Sequence, residues 1–70
     1  MTSQEFKAWR SALSLSKKEA AMALGLSIPS IYNYELGYRR EDGRPVIIPR
    51  PVALACAALA NGLEPWRAVA

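Results

Sequence analysis

The segment SKKEAAMALGLSIPSIYNYELG, residues 16–37, constrains the fold more than any other part of the chain. Ser16 and Glu19 fit a capping box, in which each side chain accepts a hydrogen bond from the other residue's backbone amide at a helix start. Gly25 follows, a residue type that adopts the positive φ of a sharp turn without strain. Ser27 is a second N-cap. The pattern therefore predicts two short helices joined by a tight turn.

The side chains of this segment sort into an inner and an outer set. Small Ala20 and Ala21 allow the second helix to cross closely over the first. We expect four larger residues to fill the angle between the helices: Leu24, Leu26, Ile31 and Tyr34. The outer face of the second helix then carries Ile28, Pro29, Ser30, Tyr32 and Asn33. The predicted fold of this segment therefore exposes one side of the second helix to solvent.

The flanking residues predict further short helices. A second capping box, Thr2 with Glu5, starts a helix that we expect to end at Ser14. The prolines and glycine of residues 38–50 forbid a continuous helix, so that stretch is predicted to be an ordered loop. Another helix runs from about Pro51 to Ala60, and Pro65 is predicted to open a short last one. The expected fold is all-α, four to five short helices in a single domain over residues 1–70.

Composition excludes several classes of function. The 70 residues include no histidine and one cysteine, Cys56, and the six acidic residues are scattered. The commonest general base and the commonest metal ligand are therefore missing, so we expect no enzyme activity, metal or cofactor. No apolar run approaches the roughly 20 residues of a membrane span, and the first residues lack a signal-peptide core. We expect a soluble cytoplasmic protein with Cys56 buried.

The segment resembles the lambda-repressor/Cro-like helix-turn-helix regulators, the XRE family of phage and bacterial repressors. The resemblance rests on Gly25 at the turn, on Glu35-Leu36-Gly37 at the end of the second helix, and on the spacing of residues 10–37. It covers the motif closely and the flanking helices more loosely. It implies sequence-specific binding to double-stranded DNA, and it pairs Arg10 with Glu35 in a partly buried ion pair. A merely solvated Arg10 is the alternative.

The resemblance implies two sets of DNA contacts. The second helix lies in the major groove, where Ile28, Pro29, Ser30, Tyr32 and Asn33 take the base-reading positions. This chain departs from the family because the side chains of Ile28 and Pro29 cannot hydrogen-bond a base. We expect these two residues to pack on thymine methyl groups and Asn33 to make a bidentate contact to adenine. The predicted backbone contacts are Ser16, Lys17, Lys18, Ser27, Tyr38, Arg39, Arg40 and Arg44. A solvated helix face for the lysines, and a solvated loop for the arginines beside Glu41 and Asp42, remain alternatives.

The net charge of +3, with most of the basic residues in the middle of the chain, is compatible with an anionic partner. The last part of the chain, about residues 51–70, is predicted to form a homodimer interface through Leu54, Ala58, Leu63, Trp66 and Val69. The length leaves no room for a ligand-sensing domain, so no small-molecule ligand is expected. The function favoured by the sequence is a dimeric repressor that occludes a promoter with an inverted-repeat operator, similar to small autoregulators beside anti-CRISPR genes. The rival is an antitoxin or adaptor module that keeps the fold and binds protein.

Overall fold

The computed structural model describes residues 1–67. Apart from one isolated β-bridge, the regular secondary structure of these residues is helical. It contains four helices: α1 over Ser3–Ala12, α2 over Lys17–Leu24, α3 over Ile28–Leu36 and α4 over Arg50–Ala60. Helix α3 packs on both α1 and α2, and α2 also packs on α4. The all-α prediction is confirmed. Among residues 1–67, no helix is long and apolar enough to cross a membrane.

Both predicted capping boxes are present. The Thr2 amide donates to Glu5 Oε1 at 2.7 Å while the Glu5 amide donates to Thr2 Oγ1 at 3.0 Å. The same reciprocal pair joins Ser16 and Glu19 at 2.8 and 3.0 Å. These bonds satisfy amides that no helical carbonyl can reach, and they lower the pKa of both glutamates below the ordinary value. The N-termini of α1 and α2 are thus set by local sequence.

The ends of α1 and α2 use the same turn with different residues. Gly25 follows α2 at φ 69°, and the Leu26 amide donates back to the Ala21 carbonyl. The last residue of α1 is Ala12, and Ser14, which was predicted to end the helix, adopts the left-handed conformation at φ 54°. Both ends match the Schellman arrangement, which satisfies the last free carbonyls of a helix. Ser14 therefore ends α1 as predicted, in a position that glycine usually occupies.

The core lies where the four helices meet. Its buried members are Phe6, Trp9, Ala20, Ala21, Ile31, Ile48 and Cys56. Phe6 packs at 5.4 Å from Trp9 and meets Tyr34 edge-on at 5.6 Å between ring centroids. Trp9 Nε1 donates to the Cys56 carbonyl at 2.8 Å and so ties α1 to α4. Burial also raises the pKa of the Cys56 thiol.

Residues 37–46, which join α3 to the approach of α4, form a narrow hairpin-like loop. The Val46 amide donates to the Gly37 carbonyl at 3.0 Å and the Arg39 amide to the Arg44 carbonyl at 2.8 Å. An antiparallel bridge pairs Tyr38 with Pro45 between these bonds. The loop predicted to be ordered is therefore held by backbone hydrogen bonds.

The chain beyond α4 differs from the prediction. Asn61 and Gly62 end the helix as expected, with the Leu63 amide donating to the Ala58 carbonyl. Residues 63–67 are not helical, so Pro65 does not open the predicted last helix over the described residues. A proline fits the first turn of a helix but supplies neither the cap nor the packing that a short helix needs. Val69 lies outside the described residues.

Candidate nucleic-acid interface

The outer face of α3 carries the side chains predicted to read bases. Ser27 precedes the helix, and its hydroxyl accepts from the Ser30 amide at 3.3 Å while pairing with the Ser30 hydroxyl at 2.9 Å. Pro29 fits the first turn because amides there have no helical partner. Ile28 and Tyr32 are 41% and 38% exposed. The structure therefore places a mixed apolar and hydroxyl surface on the N-terminal half of α3.

Asn33 is less free than the sequence suggested. Its Oδ1 accepts a hydrogen bond from the Arg40 backbone amide at 3.4 Å, and the residue is only partly exposed. A bidentate contact to adenine needs both the oxygen and the nitrogen of an asparagine side chain. An amide oxygen can accept two hydrogen bonds, so the bond from Arg40 restricts the orientation of the Asn33 side chain and leaves one acceptor position of its oxygen open.

Tyr32 lies between two cations from different elements. Lys17 Nζ, at the start of α2, is 5.1 Å from the centre of the Tyr32 ring, and Arg40 Cζ is 5.3 Å from it. Both distances are within the range of a cation–π contact. The phenol therefore brings a helix residue and a loop residue together on one surface, a grouping that spacing along the chain does not reveal.

An ion pair beneath this surface links α1 to α3. Glu35 is 7% exposed, and its two carboxylate oxygens accept from Arg10 Nε and, at 3.1 Å, from Arg10 Nη2. Arg10 also donates to the Leu15 carbonyl at 2.9 Å, and its bond to Glu35 raises the pKa of the guanidinium. The Arg10–Glu35 pair implied by the resemblance is thus present. Lys17 Nζ approaches the same carboxylate at 3.9 Å.

The Glu35 carboxylate thus lies close to two cations, Arg10 and Lys17. Because Glu35 is already bound through both oxygens by Arg10, it neutralises Lys17 only in part. A shallow cavity of about 280 Å³ opens beside it, lined by Lys7, Lys17, Tyr32, Glu35 and Leu36. The sequence did not indicate Lys7, because only the packing of α1 against α3 brings it to this place. The surface around Tyr32 is positively charged.

The arginines of the loop are not equivalent. Arg39 Nη2 lies 2.9 Å from Glu41, its Nε lies 3.8 Å from Asp42, and Arg44 Nε lies 3.6 Å from the other oxygen of Asp42. Within residues 1–67, Arg40 has no carboxylate at ion-pairing distance. The acids therefore compensate Arg39 and Arg44 and leave the excess positive charge of the loop on Arg40.

The remaining predicted backbone contacts lie at the starts of α2 and α3 and in the loop after α3. Ser16, Lys18 and Tyr38 are exposed, the last at 46%. Ser16 uses its hydroxyl to cap α2, so an anion here would meet the first-turn amides of Lys17 and Lys18 rather than that hydroxyl. The hydroxyl of Ser27 is likewise engaged with Ser30.

Three of the residues predicted to form a dimer interface line an apolar groove between α2, α4 and residues 63–66: Ala58, Leu63 and Trp66. Leu54 and Leu63 are about three-fifths exposed and Trp66 is 91% exposed. The groove has a volume of about 570 Å³ and is lined by Ala23, Leu24, Ala55, Ala58, Leu59, Leu63, Glu64, Pro65 and Trp66. Leu54 is on α4 outside this lining. The groove meets the C-terminal end of α2, whereas Lys17 stands at its N-terminal end.

Comparisons with family models, with curated proteins and with solved structures found no match to this chain. Within residues 1–67, no group of three His, Cys, Asp or Glu side chains lies close enough to hold a metal ion. The function is therefore inferred from the residues of the α3 surface, their hydrogen bonds and their charge.

Proposed function

We propose that this chain is a sequence-specific DNA-binding regulator of transcription, acting as a dimeric repressor that occludes a promoter. The observation that carries the proposal is the exposed N-terminal half of α3 with Lys17 and Arg40 gathered at Tyr32. A helix that projects from a tight turn, beside a cationic surface, has the shape and charge to enter a major groove. In this proposal α2 and α3 form the helix-turn-helix.

The proposed base contacts lie on α3. Ile28 and Pro29 pack against thymine methyl groups, because neither side chain can donate or accept a hydrogen bond. The hydroxyls of Ser30 and Tyr32 bond to base edges or to phosphate. Asn33 contributes its Nδ2 donor, and its Oδ1 keeps a second acceptor position beside the bond from the Arg40 amide. Such a surface favours A·T pairs in each half-site.

The proposed phosphate contacts surround that helix. Lys17 and Lys18 at the start of α2 supply charge, and the first-turn amides add donors aimed at an anion. Arg40 contributes from the loop on the other side. Contacts of this kind fix the protein on the duplex without reading sequence, and they make affinity fall steeply with salt.

The proposed dimer uses the apolar groove and the exposed Leu54, Leu63 and Trp66. An exposed apolar surface beside a groove of the same chain favours association of two copies. Because the groove and Lys17 are at opposite ends of α2, a second copy leaves the cationic surface free for an inverted-repeat operator. Light scattering at tens of micromolar should give the mass of a dimer, with and without operator. A monomeric mass in both conditions would refute this part of the proposal.

The rival function is a protein-interaction module, an antitoxin or adaptor, and the same apolar groove favours it. The two functions differ in what they predict for the cationic surface. A protein-binding module has no need for duplex DNA, so its affinity for random duplex should be negligible at low and at moderate salt.

The experiment that tests the proposal is selection of bound sites from a pool of random duplexes, using the full chain. We expect enrichment of an inverted repeat whose half-sites are spaced by about one helical turn, roughly 10 base pairs. Each enriched site is then checked by fluorescence polarisation against scrambled duplex of equal length. A pool that stays random after repeated rounds would contradict sequence-specific binding.

A further inference from the structure

We propose that Asn33 is a positioning residue that holds Arg40 in place, and that Arg40 is the arginine of the loop that contacts a DNA backbone phosphate. This inference rests on the proposed DNA-binding function and assigns roles within that surface. It reassigns Asn33 from the base-reading role that the sequence suggested, and it separates Arg40 from Arg39 and Arg44.

Charge is unevenly distributed in the loop. Residues 38–45 contain three arginines and two acids, and both acids lie against Arg39 or Arg44. An arginine that already has a carboxylate partner must give it up before it binds a phosphate, which reduces the net gain. Arg40 has no such partner within the described residues, so a phosphate bound there gains the full attraction.

Arg40 is fixed to α3 at two points. Its backbone amide donates to Asn33 Oδ1 at 3.4 Å, and its guanidinium lies 5.3 Å from the Tyr32 ring centre. Main chain and side chain are thus both attached to the outer surface of α3. Residues 37–46 are further closed by the bonds from Val46 to Gly37 and from Arg39 to Arg44. The loop is therefore tied to α3 and, in the described part of the chain, carries one cation without a carboxylate partner.

Arg40 shares the Tyr32 ring with a second cation. Lys17, from α2, approaches the same Tyr32 ring at 5.1 Å. A phosphate near Tyr32 would be attracted by both Lys17 and Arg40. The shallow cavity lies on the Lys17 side of the ring, and Arg40 is not part of its lining. Two cations from separate elements, ordered around one ring, form a site that is organised before DNA arrives. Such preorganisation reduces the entropy cost of binding.

The test measures affinity of the full-length protein for its selected operator and for random duplex, across a series of salt concentrations. The variants are Arg40→Ala, Asn33→Ala and the double variant, with Arg44→Ala as the charge-matched control from the same loop. Arg40→Ala should weaken binding to both duplexes about ten-fold at low salt. It should also lower the salt slope by about 0.9 for each phosphate that the variant no longer neutralises. Arg44→Ala should have a clearly smaller effect on both quantities.

Asn33 provides the sharper outcome because it carries no charge. If it positions Arg40, Asn33→Ala should lower the salt slope even though it removes no cation, and it should add little to Arg40→Ala in the double variant. Amide hydrogen exchange gives a second readout without DNA. Exchange at the Arg40 amide should become faster in Asn33→Ala and change little in Arg44→Ala. Circular dichroism confirms that each variant is folded.

The outcomes separate the two proposals. If the wild-type protein binds no duplex at low salt, the proposed function fails and this inference fails with it. If the wild type binds but Arg40→Ala behaves like Arg44→Ala, the inference alone fails. Additive effects of Asn33→Ala and Arg40→Ala, with an unchanged salt slope for Asn33→Ala, would show that Asn33 acts independently and restore it as a candidate base reader.

Discussion

The ion pair between Arg10 and Glu35 should make an unusually large contribution to the stability of so small a protein. Glu35 is 7% exposed and Arg10 is 20% exposed, so the carboxylate has exchanged nearly all of its water for this guanidinium. Replacing Arg10 with Met keeps much of the volume of the aliphatic stem and removes three hydrogen bonds, two to Glu35 and one to the Leu15 carbonyl. The variant leaves a buried carboxylate whose nearest remaining cation is Lys17 at 3.9 Å.

The magnitude follows from what the carboxylate loses. Removing one partner of a buried pair destabilises a protein by roughly 3–5 kcal/mol. Because the Arg10 side chain is 20% exposed and Lys17 lies 3.9 Å from Glu35, we expect the loss of unfolding free energy in Arg10→Met to lie near the lower bound, at about 3 kcal/mol. A domain of this size has a free energy of unfolding of roughly 4–10 kcal/mol. Arg10→Met should therefore lower Tm by about 12–24 °C, at roughly 4–8 °C per kcal/mol.

The assay is thermal and urea unfolding followed by circular dichroism, with Glu35→Leu and the double variant completing a mutant cycle. The double variant replaces the pair with apolar side chains and should recover most of the stability that Arg10→Met removes. Arg67→Met is the control, because its partner Glu64 is exposed, and it should change stability by less than about 0.5 kcal/mol. If Arg10→Met costs less than about 1 kcal/mol, or if the two single effects are strictly additive, the pair does not stabilise the fold in this way.

Three further predictions concern local structure. The capping hydrogen bonds lower the pKa of Glu19 below its ordinary value of 4.5. The stability that the ionised Glu19 gives the folded protein is therefore fully present above pH 4.5 and is lost as the pH falls through the lower pKa of the folded state. The difference in Tm between wild type and Glu19→Gln should shrink accordingly, and a difference that is independent of pH would contradict this. Ser14→Gly should raise the free energy of unfolding by about 1 kcal/mol, because φ 54° strains any side chain with a Cβ; an unchanged urea midpoint would speak against strain. Ile48→Ala should cost about 2–5 kcal/mol while Ile47→Ala, at an 86% exposed position, changes little; equal destabilisation by the two variants would show that Ile48 is not a core residue.

The helices could be predicted because their signals are local. Thr2 with Glu5 and Ser16 with Glu19 are three residues apart, and the turn at Gly25 depends on one residue's freedom at positive φ. Such features require no knowledge of the rest of the fold. Pro65 shows the limit, since a proline is compatible with a helix start but cannot create one without a cap and packing.

The parts of the fold that could not be predicted depend on distant contacts. Ile48 lies in a proline-flanked stretch with no helical or strand periodicity, and only the return of the chain after α3 buries it in the core. From the sequence alone, the three arginines after α3 could not be distinguished as phosphate contacts. Only the pairing of Arg39 and Arg44 with acids, and the bond from Arg40 to Asn33, distinguish them. Charge composition predicted only that an anionic partner is possible, whereas the folded loop distinguishes Arg40, which has no carboxylate at ion-pairing distance among residues 1–67, from Arg39 and Arg44.

The salt dependence of DNA binding would decide whether the cationic surface around Tyr32 binds DNA. Affinity for the selected operator and for random duplex is measured by fluorescence polarisation from low to moderate salt, for wild type and for Lys17→Ala. We expect log Kd to rise linearly with log salt concentration, and Lys17→Ala to reduce that slope by about 0.9 for each phosphate left without its lysine, equally for both duplexes. Binding that is absent at low salt, or a Lys17→Ala variant that changes base preference and leaves the slope intact, would contradict the proposed role of this surface.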